Sequence, residues 1–471
     1  MAGDSLLFTP ASELAQLIKK RKLSPVELVD HILARIGEVN PKLNAYLTVA
    51  DAEAKSAARA AEAAVMRGDE LPSLHGVPLS IKDLHFTKEI VTTGGSLVFR
   101  DFVPNEDSVA VERLRHAGAI ILGKTNTPEF GLSATTENRL GDHCRNPWHL
   151  ERTAGGSSGG AAAAVACGLG PLALGSDGGG SIRIPSGFCG VYGLKPTRGR
   201  VPIYGGFGGF ELFADIGPIA RTVRDAALML SVMAGFDRRD PTSLQAQPPN
   251  FLAAVDGEFR GLRLAWSPNL GYAPVDPEVR SIAESAAHTF ESLGCAVEEA
   301  TPSIDDPFTI FTPIMLADQY AACGHLLREH ADNLVPYVKS TLEQGAKVSG
   351  YHYSQALRAL ERFRMQMADF FGRYDLLLTP TNTVPAFPVG RRPREIGGQK
   401  VDTLWGPFPF TMLFNLTGQP AANLPCGFST EGLPIGLQVV GRWGEEATVL
   451  RASAAFEQAR PWAGKTPPLG S

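Results

Sequence analysis

The sequence predicts an α/β protein built around a mostly buried sheet. Helical stretches alternate with short apolar runs along most of the chain. Apolar residues make up 44% of the 471 positions, enough for a sizeable core. The 50 glycines are unevenly spread, which marks a few special loops on a regular frame.

The elements follow in order. Ser24-Pro25-Val26-Glu27 is a capping box with proline at the first helical position, and it opens a helix to about Gly37. Asn40-Pro41 reads as a second helix start. The Ala-rich run 50–66 is strongly helical, and Gly68 ends it. From about Leu74 the pattern changes. Residues 77–81 read as a strand that delivers Lys82 and Asp83 at its end. Residues 109–116 are helical and 119–122 a short buried strand. The run 161–167 is a helix of small residues, so something packs closely against it. Strands at 262–266, 376–378 and 437–440 and helices at 277–293 and 446–458 continue the alternation.

At about 150 residues per domain the length would allow roughly three domains. The loops 237–250 and 388–399 are too short for linkers, and no repeat of fixed period is present. Lys plus Arg number 44 and Asp plus Glu 49, so no bulk attraction to nucleic acid or to an anionic membrane is expected. The six cysteines (Cys144, Cys167, Cys189, Cys295, Cys323, Cys426) contain no C-x-x-C pair and read as reduced and mostly buried. The start lacks the basic and then apolar segments of a signal peptide, which makes a soluble, cytoplasmic protein the default. Residues 153–176 carry no charge but are rich in Gly, Ala and Ser, which suits a tightly packed loop and helix rather than a membrane span.

The densest chemical signal is Gly155-Gly156-Ser157-Ser158-Gly159-Gly160, followed by Gly175-Ser176-Asp177-Gly178-Gly179-Gly180-Ser181-Ile182-Arg183. Glycine lets the backbone approach a ligand, and consecutive N–H groups can then converge on an oxyanion. Taken singly, each stretch reads first as a flexible loop with an ordinary serine. G-x-S-x-G matches occur at Ser157 and Ser158, but the residues before them make a poor strand for a nucleophile elbow. Residues 118–125 match the P-loop pattern, yet their middle is an apolar strand. Residues 168–173 match a dinucleotide fingerprint but follow a helix. His143 and His149 lack metal-ligand spacing. None of the ten histidines stands out as a triad member, so a serine nucleophile needs another base. Lys82, ending an apolar strand, is the candidate. An ordinary lysine titrates near ~10.4, so general-base work needs a lowering of roughly 3 pH units, about 4 kcal/mol. A structural ion pair is the other reading of Lys82.

Together these residues resemble the amidase signature family of serine hydrolases. The matching pieces begin with Gly76-Val77-Pro78-Leu79-Ser80-Ile81-Lys82-Asp83, Gly123-Lys124-Thr125-Asn126-Thr127-Pro128-Glu129-Phe130 and Arg145-Asn146-Pro147-Trp148. The two glycine-serine stretches follow, then Gly193-Leu194-Lys195-Pro196-Thr197, Gly217-Pro218 and Gly432-Leu433-Pro434-Ile435-Gly436-Leu437-Gln438. Order and spacing fit over nearly the whole chain. The resemblance implies amide hydrolysis with Ser181 as nucleophile, Lys82 as base and Ser157, after a cis bond from Gly156, as the bridging serine. It implies an oxyanion hole from the N–H groups of Gly178, Gly179, Gly180 and Ser181. Asp177 and Arg183 would hold the loop, and Ser158 would support it by hydrogen bonding. No metal and no cofactor is implied. The implied fold is an amidase signature fold, a large twisted mixed sheet flanked by helices on both sides. An N-terminal helical segment over 1–70 would pack on a catalytic domain over 71–471, in one compact domain.

Two activities compete within the resemblance: a stand-alone amidase, and the glutaminase component of a tRNA-dependent amidotransferase, its A subunit. The latter branch carries a Tyr-Asp-Gly-Val-Arg-Tyr stretch that is not found here. In the loop 204–213, Tyr204, Phe207 and Phe210 read as an aromatic pocket wall, with plain packing as the other reading. Trp405, Phe408, Phe410 and Phe414 either line the same pocket or fill the core. The expectation is a stand-alone amidase acting on small neutral, apolar or aryl amides, with esters, carbamates, hydrazides and lactams left open. Its partner is then a small-molecule amide, with no nucleic acid and no membrane; a homodimer is left open.

Overall fold

In the computed structural model, which describes residues 6–209 and 212–470, the short apolar runs assemble into one 11-stranded sheet. Its strands are β1 (Tyr46–Val49), β2 (Pro78–Lys82), β3 (Ile120–Thr125), β4 (Leu172–Asp177), β5 (Tyr192–Lys195), β6 (Asp215–Ala220), β7 (Arg263–Trp266), β8 (Ala296–Glu299), β9 (Leu376–Pro380), β10 (Ala421–Phe428) and β11 (Pro434–Gly441). Across the sheet they run β1-β3-β2-β4-β6-β5-β10-β11-β9-β7-β8. Two parallel groups, β3-β2-β4 and β9-β7-β8, flank a central antiparallel block.

Alternation along each strand divides the core between two faces. Leu79, Ile81, Leu172 and Leu174 join one apolar cluster with the helices Val223–Met233 and Glu446–Ala459. Their neighbours point the other way. Leu122 and Ala173 meet the N-terminal helices and the helix Gly159–Ala166. Ala265, Leu377 and Val440 meet the helices Pro307–Cys323 and Gly350–Phe371. Helices therefore cover both faces of the sheet.

Ser24 caps the helix Pro25–Leu43, its hydroxyl accepting from the N–H groups of Val26 and Glu27. That helix passes Gly37 because Ile36, Val39 and Leu43 continue its buried stripe. Asn40 does not start a second helix: its Oδ1 accepts from Ala45 and Tyr46 and closes the first. Residues 1–70 are not purely helical either, since β1 pairs with β3 at the sheet edge. Among the described residues the cysteines form no disulfide with one another, and only Cys323 is more than slightly exposed. Among the described residues no helix is long and apolar enough to cross a membrane. The uncharged run 153–176 supplies a loop, the helix Gly159–Ala166 and most of β4.

Candidate active site

Strand alternation aims Lys82. Leu79 and Ile81 enter one core cluster, so Lys82 faces the opposite side of β2. On that side the helix Gly159–Ala166 approaches the sheet very closely. A Cβ on Gly160 would lie 2.4 Å from the Ala45 carbonyl oxygen and from the Asn126 nitrogen, so only glycine fits. Ser157, after a cis peptide bond from Gly156, lies just before this helix. Lys82 Nζ donates to Ser157 Oγ at 2.7 Å and to the Ser176 carbonyl at 3.2 Å. Lys82 is fully buried. Burial lowers its ammonium group to about 7, against the opposing pull of the Asp177 carboxylate. A large share of Lys82 is therefore neutral near pH 7.

The second glycine loop is built on an ion pair. Asp177 ends β4, and Arg183 opens the helix Arg183–Cys189. Arg183 donates to both Asp177 carboxylate oxygens, at 2.8 and 3.0 Å. Its remaining donors go to the Thr411 carbonyl, Gln438 Oε1 and Asn415 Oδ1. Burial works against the Asp177 charge, but Arg183 foremost, with Lys195 and Asn415, outweighs it and holds the carboxyl well below its ordinary range. The same carboxylate accepts the N–H groups of Gly180 at 2.7 Å and Ile182 at 3.1 Å. Gly180 thus differs from the expectation of an oxyanion donor, because its N–H is already committed. The N–H groups of Gly178, Gly179 and Ser181 meet no acceptor among the described residues. Gly180 has φ +128, and a Cβ there would lie 2.2 Å from Thr411 Oγ1. Ser158 ties the two loops together. Its N–H donates to the Ser181 carbonyl at 3.1 Å and its hydroxyl to the Ser176 carbonyl at 3.1 Å.

Ser157, Ser181, Gly178 and Gly179 all line one cavity of about 500 Å³. Tyr204 and Phe207 stand in its wall. Phe207 also packs on Phe99 and Phe130, with ring centroids 4.9 and 6.1 Å away. Phe210 lies outside the described residues. Trp405 lines the cavity, whereas Phe408, Phe410 and Phe414 are wholly buried core residues away from it. No Asp, Glu, Lys or Arg is among the described lining residues. Two lining side chains carry little signal in the sequence. His85 lies just past Lys82, and its imidazole is lowered to about 3 by burial and by the nearby Lys82 and Lys124. Gln319 sits on the helix Pro307–Cys323, whose amphipathic pattern is weak.

A family model described as Amidase matches residues 27–450. The chain belongs to the amidase family. It is a hydrolase acting on amide C–N bonds. This amidase is 40% identical to an acylamidase of Rhodococcus erythropolis, over 99% of the chain and 98% of that protein. It is 38% identical to the A subunit of the glutamyl-tRNA(Gln) amidotransferase of Geobacillus thermodenitrificans, over 99% of the chain and 100% of that protein. Its structure is similar to the crystal structure of a bacterial aryl acylamidase belonging to the amidase signature family. The TM-score is 0.91 and the identity 34%, over 97% of this amidase and 99% of that chain. The expected amidase signature architecture is therefore the one found.

Proposed function

We propose that this amidase cleaves linear amides of small neutral, apolar or aryl substrates through an acyl-enzyme on Ser181. The observation that carries the reading is the enclosed 2.7 Å hydrogen bond between Lys82 and Ser157, beside a cavity that Ser181 also lines. Neutral Lys82 takes the Ser157 proton as Ser157 takes that of Ser181. Ser181 Oγ then bonds to the amide carbonyl carbon, and the oxyanion is met by the N–H groups of Gly178, Gly179 and Ser181. The proton returns through Ser157 to the leaving nitrogen, the C–N bond breaks and the amine departs. Water attacks the acyl-enzyme, gives its proton to the same relay, and the acid leaves with Ser181 restored. Ser158, Asp177 and Arg183 hold the two loops in place for this sequence. The route calls for no cofactor.

Tyr204, Phe207 and Trp405 favour apolar and aryl groups in the cavity. The whole-length likeness to an amidotransferase component motivates the second reading, a glutaminase. Glutamine brings an ammonium and a carboxylate, and the described cavity wall offers neither a partner of opposite charge. The deciding experiment measures amine or ammonia release by the purified chain from benzamide, an anilide, a short aliphatic amide and glutamine. Turnover of the aryl amides, abolished in Ser181→Ala, is expected. Glutamine hydrolysis with the aryl amides untouched would establish the glutaminase instead.

A further inference from the structure

Among the described residues, two cavity-lining side chains hold a buried polar atom with no hydrogen-bond partner: His85, at Nε2, and Gln319, at Oε1. His85 stands close to Lys82, within the machinery already described. Gln319 stands apart. Phe311, Met315 and Gln319 recur every four residues along the helix Pro307–Cys323, and all three line the cavity. Phe311 marks the reactive end: its ring lies 3.4 Å from where a Cβ on Gly179 would be. Eight residues of helix rise then place Gln319 about 12 Å further along the axis. There its carboxamide presses on the glycine loop, with Nε2 2.5 Å from where a Cβ on Gly209 would sit. Gln319 is 1% exposed, so its unmet oxygen carries a desolvation cost that a ligand's donor can relieve. The last torsion of glutamine is broad and two-fold, so the oxygen can turn toward such a donor without moving the helix.

We infer that Gln319 is a specificity-determining residue that accepts a hydrogen bond from the far end of the substrate. The substrate class is then a linear, uncharged amide whose acyl or amine chain is apolar along its length and ends in a hydroxyl or amide N–H. The inference rests on the amide-hydrolase reading of this cavity and narrows it. At about 1.2 Å per bond, a chain of eight or nine atoms spans roughly 10 Å, close to the separation of the two ends.

The test compares kcat/KM for 8-hydroxyoctanoyl anilide, 8-methoxyoctanoyl anilide and nonanoyl anilide. The same terminal groups are compared on N-acetyl alkylamines, to probe the amine side. Wild type is expected to prefer the hydroxyl-ended substrate at least about tenfold over both others in one of the two series, chiefly through KM. Gln319→Met, similar in length but unable to accept a strong hydrogen bond, is expected to bring that ratio to within about twofold of unity. Wild type that hydrolyses all substrates without a preference for the hydroxyl end overturns the inference and leaves the proposed function standing. A preference that persists in folded Gln319→Met overturns it too. Silence of wild type on these amides and on benzamide alike instead overturns the proposed function itself, whereas silence on these alone overturns the inference. The wild-type ratios are informative even if Gln319→Met does not fold, because the inference requires the preference to be present.

Discussion

Asp177 and Arg183 meet through two hydrogen bonds of 2.8 and 3.0 Å, with neither side chain exposed. Because Asp177 also takes the N–H groups of Gly180 and Ile182, one carboxylate fixes the backbone on both sides of Ser181. The groups facing the cavity are thus oriented from behind by a pair that does not line it.

Removing one partner would strand a buried charge, at a typical cost of about 3–5 kcal/mol. Arg183→Met is therefore expected to lower the urea midpoint sharply and to disorder the glycine loop. Arg183→Lys should not restore stability, because the three donors of one compact ammonium cannot replace the planar guanidinium's bonds to both Asp177 oxygens, the Thr411 carbonyl, Gln438 and Asn415. Equilibrium urea unfolding of the three proteins checks this; wild-type stability in Arg183→Met would contradict it.

On the proposed assignment, Lys82, Ser157 and Ser181 act as one relay. Ser181→Ala and Lys82→Ala should each reduce kcat by about 10³-fold or more. The double variant should lose little beyond either single one, since a relay missing one member gains nothing from the rest. Single-turnover kinetics on an anilide would check this, with thermal melts confirming that Ser181→Ala stays folded. Multiplicative losses in the double variant would mean that the two side chains act independently.

Gly180 offers a backbone test. Its φ of +128 and the closeness of Thr411 Oγ1, 2.2 Å from where a Cβ would sit, leave no place for a methyl group. Thr411 Oγ1 also donates to the Gly179 carbonyl at 2.7 Å, so any displacement passes directly to a proposed oxyanion donor. Gly180→Ala is expected to cost about 1–3 kcal/mol in backbone strain and at least about 10²-fold in kcat. Denaturation and steady-state rates, measured together, separate the two effects.

Much of this site is legible in the sequence because its residues are local. Ser157 and Ser158 share one loop, and Asp177 through Arg183 share another. The apolar run before Lys82 is enough to place it at a strand end. What stays hidden depends on distant pairing. The Gly180 N–H looks like its neighbours in sequence, and only the folded position of Asp177 commits it. Gln319 enters the cavity on a helix that no amphipathic pattern announces. Strands β5, β6 and β10 escape the sequence pattern because glycine, proline and polar residues interrupt their apolar runs, whereas β3, also buried, opens on the continuous run Ile120-Ile121-Leu122. The aromatic run 405–414 splits in a way that only the folded chain decides: Trp405 reaches the cavity while Phe408 and Phe410 fill the core.

Lys82 should set both the pH–rate profile and part of the pH–stability profile. Burial lowers its ammonium group from 10.5 to about 7, and the opposing Asp177 charge stays ionised throughout the accessible range. His85, lowered to about 3, stays neutral there and adds no limb. As a base, Lys82 must be neutral, so kcat/KM should fall about tenfold per pH unit below pH 7 and level off above it. Stability follows with a definite sign. Between pH 7 and 10.5 the unfolded chain holds a proton on Lys82 that the folded chain has released. The unfolded state binds more protons, so this residue's contribution rises with pH across that window and is least favourable below it. Lys82→Met should abolish turnover and remove that slope, which makes the variant relatively more stable at pH 6 than at pH 9 when each is compared with wild type. Urea midpoints of both proteins at the two pH values measure the difference. A wild-type rate profile flat from pH 5 to 9, with identical midpoint shifts in the two proteins, would show that Lys82 keeps its proton and is not the base.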